Sequence, residues 1–273
     1  MTIGVCSWSL RPESPAALAQ HVNDCGLRAA QLALDPILRG EWSLAETRKA
    51  LSSKDITTLS TMLQTEGEDY STLDTIKLTG GLRPDHHWKA NLELARRAAR
   101  LVPELGVSLV TFHAGFLPHE PGDPLRLVMM DRLRAVHDTF AEAGVHVALE
   151  TGQESAETLR ELLEELALPH LGVNFDPANM ILYDMGDPVD ALRTLAPWVR
   201  QIHLKDAVRT RTPGAWGAEV PIGSGEVDWP AFFRVVREEK LSIELFVERE
   251  AGEDRVRDIT SGLAHLATIG VRP

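Results

Sequence analysis

Four side chains able to hold a hard cation each close a short apolar run. Val145-His-Val-Ala-Leu-Glu150, Leu171-Gly-Val-Asn-Phe-Asp176 and Ile243-Glu-Leu-Phe-Val-Glu248 end on carboxylates. Val199-Arg-Gln-Ile-His-Leu-Lys-Asp206 carries His203 near its polar end. Three carboxylates and one imidazole suit Mn2+, Mg2+ or Co2+ better than a thiolate-seeking metal, and Zn2+ stays open. The expectation is one divalent ion held by Glu150, Asp176, His203 and Glu248. Glu250 shares strand parity with Glu248 and is the rival ligand, but it lies further into the loop.

Such residues converge only if their strands are neighbours with the same direction. Glu150 and Asp176 are 26 positions apart, Asp176 and His203 are 27, and His203 and Glu248 are 45. The first two intervals match one strand-helix repeat, and the third is one repeat plus a long loop. Apolar strands that become chargeable at their C-terminal ends fit an α/β barrel, whose chemistry sits at that end.

The rest of the chain supplies the missing repeats. Strands are expected over 3–10, 29–34, 57–63 and 109–114, besides those ending at Glu150, Asp176, Asp206 and Glu248. Helices are expected over 14–26, 44–54, 87–106, 123–144, 155–168, 187–198, 230–240 and 254–269. Ser14-Pro15, Asp123-Pro124 and Ser155 give capped starts, and Gly26 and Gly144 give stops. Alternation of this kind implies parallel pairing, and eight units favour a single (β/α)8 TIM barrel over 1–273. No Gly-x-Gly-x-x-Gly turn follows an early strand, which disfavours an open nucleotide-binding sheet. Two long loops, 64–85 and 207–228, both follow strands and would lie over the active face.

Bulk properties narrow the classes. A net charge of −12 argues against a nucleic-acid partner, which needs clustered Lys and Arg. It leaves open a small phosphorylated substrate, which needs only one or two local cations. Cys6 and Cys25 make no disulfide framework and read as buried thiols of a cytoplasmic protein. Neither a signal peptide nor a membrane span is expected.

Motifs across nearly the whole length carry a resemblance. They are Gly4-Val-Cys-Ser-Trp-Ser9, Leu149-Glu-Thr-Gly152, Asn174-Phe-Asp-Pro-Ala-Asn179, Ile202-His-Leu-Lys-Asp206, Gly223-Ser-Gly-Glu-Val-Asp-Trp229 and Val247-Glu-Arg-Glu250. The chain resembles the sugar phosphate isomerase/epimerase family, the xylose-isomerase-like barrels that include D-tagatose 3-epimerase and inosose dehydratase. The resemblance implies that the four strand-end residues are the metal ligands and that Glu150 and Glu248 are the acid/base pair on opposite faces of a ketose or sugar phosphate. It implies proton transfer through a metal-stabilised enediolate, with Arg209 contacting substrate oxygens, and a homodimer. The chain departs from the epimerases at two places. Asn179 stands three residues after Asp176, where a histidine is common; it can hydrogen-bond a hydroxyl but carries no proton at neutral pH. Ala156 stands six residues after Glu150, where a substrate-binding glutamate is common.

Further substrate contacts are expected from His113 at the end of the fourth strand and from Lys205, which shares the inward face with His203 and suits a phosphate or oxyanion. Trp8 and Trp216 suit the apolar walls of a sugar site. Packing is the alternative role for His113 and Trp8, and a salt bridge for Lys205. Competing readings are a metal-dependent lyase or dehydratase of a keto-sugar or inosose, an endonuclease IV-like repair enzyme, and a non-catalytic sugar-binding barrel. The acidic charge and sparse strand-end histidines weigh against the repair enzyme, and the intact ligand set against the binding barrel.

Overall fold

The computed structural model describes residues 1–212 and 214–273. Its strands are β1 (Ile3–Cys6), β2 (Ala29–Ala33), β3 (Thr57–Met62), β4 (Leu109–Phe112), β5 (His146–Glu150), β6 (Leu171–Phe175), β7 (Val199–Leu204), β8 (Asp206–Val208), β9 (Ala218–Val220) and β10 (Glu244–Val247). All but β8 and β9 close into a parallel barrel in chain order, with β10 pairing both β7 and β1. Closure leaves no free edge: Val5 lies opposite Ala30 on one side, and Ile3 lies opposite Leu245 on the other. The molecule is therefore a (β/α)8 TIM barrel, as the alternation predicts.

The helices are α1 (Pro15–Asp24), α2 (Asp35–Leu38), α3 (Leu44–Ser52), α4 (Leu73–Thr79), α5 (Asp85–Glu104), α6 (Pro124–Ala141), α7 (Ala156–Leu166), α8 (Pro177–Leu182), α9 (Pro188–Leu195), α10 (Trp229–Glu238) and α11 (Arg255–Thr268). Starts follow the expected caps. Ser14 accepts from the Ala17 amide, Asp123 from Leu125, and Ser155 from Thr158, each satisfying a donor with no partner inside the helix. Leu18 and Val22 of α1, and Leu159, Leu162 and Leu163 of α7, are buried in the core between helices and barrel.

Most departures lie at the top of the barrel. The first expected strand stops at Cys6, and Ser7–Leu10 turn into a 3-10 helix, so Trp8 bends back over the barrel mouth. The helix expected over 187–198 ends at Leu195, and Ala196–Trp198 form a 3-10 turn. The loop 64–85 contains α4, whose capping box uses Thr72 and Thr75. A threonine in the place usually held by Glu or Gln hides that signal from sequence reading. The loop 207–228 holds the antiparallel pair β8 and β9.

The second of these loops is folded around one carboxylate. Asp206 accepts from the amides of Gly223 (2.8 Å), Gly225 (3.2 Å) and Val227 (3.2 Å), and from Trp229 Nε1 (3.0 Å). Gly225 approaches so closely that an added Cβ would sit 2.6 Å from the Ala207 carbonyl oxygen. The Gly223-Ser-Gly225 segment is thus a turn at the active face, not a phosphate cradle. Among the described residues no helix is long and apolar enough to cross a membrane.

Candidate metal centre and substrate cavity

Parallel register brings the four strand ends together. Phe246 pairs with His203 and Val247 with Leu204, so Glu248 emerges beside the end of β7. Glu150 pairs with Asn174, two residues before Asp176. Ligand atoms of Glu150, Asp176, His203 and Glu248 all lie within 4.8 Å of one another, and all four residues are buried. His203 Nδ1 is 3.5 Å from Glu150 Oε1, 3.8 Å from Asp176 Oδ2 and 3.4 Å from Glu248 Oε2. Glu250 is outside this set: it is half-exposed, with its carboxylate 2.6 Å from Lys205 Nζ.

Hydrogen bonds aim each of these groups. Gln31 Oε1 lies 2.7 Å from His203 Nε2; accepting that proton leaves the Nδ1 lone pair toward the carboxylates. Gln31 is itself anchored through its amide nitrogen to Thr111 Oγ1 at 2.8 Å. Asp176 Oδ1 caps α8 by accepting from Ala178 and Asn179, while its Oδ2 is buried without a hydrogen-bond partner. Glu150 accepts from Asn179 Nδ2 (3.0 Å) and Asn174 Nδ2 (3.1 Å). Glu248 accepts from Trp8 Nε1 (2.7 Å) and Lys205 Nζ (2.9 Å).

This donor set fits a divalent ion. An orphaned buried carboxylate oxygen, two further carboxylates and an imidazole nitrogen converge, and burying such charges without a counter-ion is costly. Burial pushes the Glu150 carboxyl up, but His113 and His203 outweigh it and hold it below its ordinary value. For Glu248 burial is outweighed by Lys205 and His203, and the group lies well below its usual range. Asp176 goes the other way: burial dominates and raises it, against the pull of Lys205 and His203. Cys6 also approaches His203 and Glu248, but burial pushes its thiol up to about 12. It therefore stays protonated and points toward Gln31 Oε1 at 3.5 Å.

A cavity of about 530 Å3 opens above the centre. Trp8, His113, Asn179, Lys205 and Trp216, residues named as candidate substrate contacts, line it. His113 Nε2 is 3.6 Å from Glu150 Oε1, and its Nδ1 is buried without a partner. Trp216 packs on Tyr183 with ring centres 4.8 Å apart. Arg209 does not line the cavity: it pairs with Asp184 and reaches the Gly186 carbonyl at 3.5 Å. Lys205 does not present a free ammonium, since it contacts Glu248, Glu250 and Asn179.

Sequence reasoning passed over Gln31, Asn174, Tyr70 and Tyr183. Gln31 is the one polar side chain in the run Ala29-Ala-Gln-Leu-Ala33, and Asn174 shares inward parity with Asp176. Both signals were present. Tyr70 lines the cavity from a loop and Tyr183 from the C-terminal cap of α8, positions that no strand pattern marks.

Glu154 is a buried carboxyl outside both the centre and the cavity lining, with Oε2 unpartnered. Burial raises it from 4.5 to about 8. An acid whose folded value lies above its unfolded one favours the native state fully below pH 4.5. That contribution is lost as pH rises toward 8. Glu154→Gln is therefore expected to stabilise the protein relative to wild type, by a margin growing about 1.4 kcal/mol per pH unit across that window. Denaturant midpoints of both proteins at pH 5 and pH 7 measure it; a constant difference would contradict the burial argument.

Comparison with known proteins agrees with this architecture. A family model described as xylose isomerase-like TIM barrel matches residues 19–269. Over 137 residues the chain is 32% identical to the protein YihM of Escherichia coli (strain K12), a match covering 49% of this chain. It takes in 40% of that relative's length. Among solved structures, a xylose isomerase domain protein from Planctomyces limnophilus superposes with a TM-score of 0.84 at 31% identity, over 92% of this chain and 91% of the other. The probable 3-DHS dehydratase AsbF of Bacillus anthracis aligns at 19% identity, TM-score 0.73, over 98% of this chain and 99% of its own. For the 3-keto-D-glucoside 4-epimerase YcjR of E. coli the values are 18% and 0.74, over 98% and 99%. At such identities the last two speak to fold alone.

Proposed function

Since the chain belongs to the xylose isomerase-like TIM-barrel family, we propose that it is a divalent-metal-dependent isomerase or epimerase acting beside the carbonyl of a keto-sugar. The observation that carries this reading is the convergence of Glu150, Asp176, His203 and Glu248 under an aromatic-walled cavity. These four residues would hold Mn2+, Mg2+ or Co2+, with Zn2+ open. The bound ion would polarise the carbonyl and offset negative charge developing on its oxygen.

Glu150 and Glu248 are the proposed proton carriers. Both lie below their ordinary values despite burial, Glu150 through the neighbouring imidazoles and Glu248 through Lys205 and His203, so each is able to accept a proton from carbon. Asn179 and Asn174 fix the Glu150 carboxylate, and Trp8 and Lys205 fix that of Glu248. Approach from two sides allows removal at one face and return at the other, which inverts a carbon centre. Asn179 bonds Glu150 and also lines the cavity, so it positions the base where a histidine would have offered a second proton carrier.

The test is a panel of free ketoses, ketose phosphates and inososes incubated with metal-reconstituted protein in D2O. Deuterium uptake at the carbon next to the carbonyl, together with an isomer as product, is expected. Loss of water from the product would assign the site to a dehydratase using the same proton abstraction. Turnover without deuterium uptake would overturn the proton-transfer reading.

A further inference from the structure

We propose that the cavity takes an uncharged polyhydroxy ketone and rejects its phosphate esters, because its lining carries a surplus of carboxylate. The inference rests on the proposed function and narrows its substrate class.

With the proposed ion bound, charge balance at the floor of the cavity would be closed. The carboxylates of Glu150, Asp176 and Glu248 would face one divalent ion besides the Lys205 ammonium, which together would cancel them. Lys205 is the only ammonium or guanidinium among the described residues that line the cavity. Its donors reach Glu248 Oε2 at 2.9 Å, Glu250 Oε2 at 2.6 Å and Asn179 Oδ1 at 3.4 Å. An ammonium has three donors, so none is left to grip a phosphate.

Above that floor the excess is negative. Asp35, Glu68 and Glu250 all line the cavity. Asp35 has a partner in Arg39 at 3.7 Å, but that arginine is mostly exposed. Glu68 is held by neutral donors only, Thr65 Oγ1 at 2.7 Å, Tyr70 Oη at 3.3 Å and the Gly81 amide at 3.3 Å. A phosphate ester brings a charge of about −1.5 to −2 into this field. The basic side chains Lys77 and Arg83 line a second cleft that shares no lining residue with the first. The aromatic rings of Trp8, Tyr70, Tyr183 and Trp216 offer faces to sugar C–H groups, and the carboxylates offer acceptors to hydroxyls. That combination recognises a neutral polyol.

The experiment follows tryptophan fluorescence of the metal-loaded protein while free ketohexoses, and separately their 6-phosphates, are added. Trp8 and Trp216 line the cavity and report occupancy without turnover. The free sugars are expected to bind about 100-fold more tightly than the esters, since juxtaposed like charges cost that much or more. The double substitution Asp35→Asn with Glu68→Gln is expected to narrow the ratio severalfold. Esters binding as tightly as free sugars, or neither binding, would overturn the inference. Selective binding of free sugars without deuterium uptake would leave it standing and defeat the proposed reaction. Uptake with esters preferred would do the reverse.

Discussion

Glu150→Gln is expected to lower solvent-proton exchange by about 10² to 10⁴-fold, the range set by removal of a positioned general base. Glutamine keeps the length of the side chain and can still accept from Asn179, but it cannot take a proton from carbon. Because Glu150 also belongs to the proposed ligand set, metal content must be measured on the same sample. Full metal occupancy with lost exchange identifies a proton carrier, whereas lost metal identifies a ligand first. Glu248→Gln should behave alike, with exchange lost from the opposite face of the substrate. Exchange at wild-type rate in either variant, with metal bound, would remove that residue from the acid/base pair.

Removal of the metal by a chelator should abolish activity and lower thermal stability together. An ion that binds only the native chain stabilises by about 2.7 kcal/mol when present at 100 times its Kd. For a chain of this size that corresponds to a fall in Tm on the order of 5 °C. The dependence on pH has a definite sign. Burial pushes the His203 imidazolium down, but the carboxylates of Glu248, Glu150 and Asp176 more than offset it, so the group sits well above its ordinary value. Protons therefore compete with the metal for Nδ1, and apparent metal affinity should weaken as pH falls. Calorimetric titration of Mn2+ at pH 6 and pH 8 measures this; equal affinities would mean that His203 does not give up a proton on binding.

Barrel architecture was legible because its signals are periodic and repeated. Eight short strands alternating with amphipathic helices, most of them capped, leave few other topologies. The clustering of Glu150, Asp176, His203 and Glu248 was legible for a related reason, since a chargeable residue at the end of an apolar run has one destination in a parallel barrel. Gln31 was harder, because a single amide within a strand resembles any polar residue on an outward face. Lys205 was placed on the correct face, but its role depends on Glu248 and Glu250 from another strand, which no local pattern reveals. Arg209 follows β8, where two loop-borne strands and the Asp206-centred turn redirect the chain, so spacing from His203 does not fix its side chain. Tertiary folding of the long loops, more than ambiguity in the strands, limited what could be read.

The bond from His203 across the interior to Gln31 ties β7 to the far wall of the barrel, and Gln31 passes the tie on to Thr111 of β4. The imidazole is thus braced from beneath by staves of the cylinder and not by the crown of loops around the cavity mouth. Evolution could then exchange the loops other than those bearing Trp8 and Asn179 while the seat of the imidazole remained undisturbed. A designer grafting a new crown onto this body would inherit the same freedom.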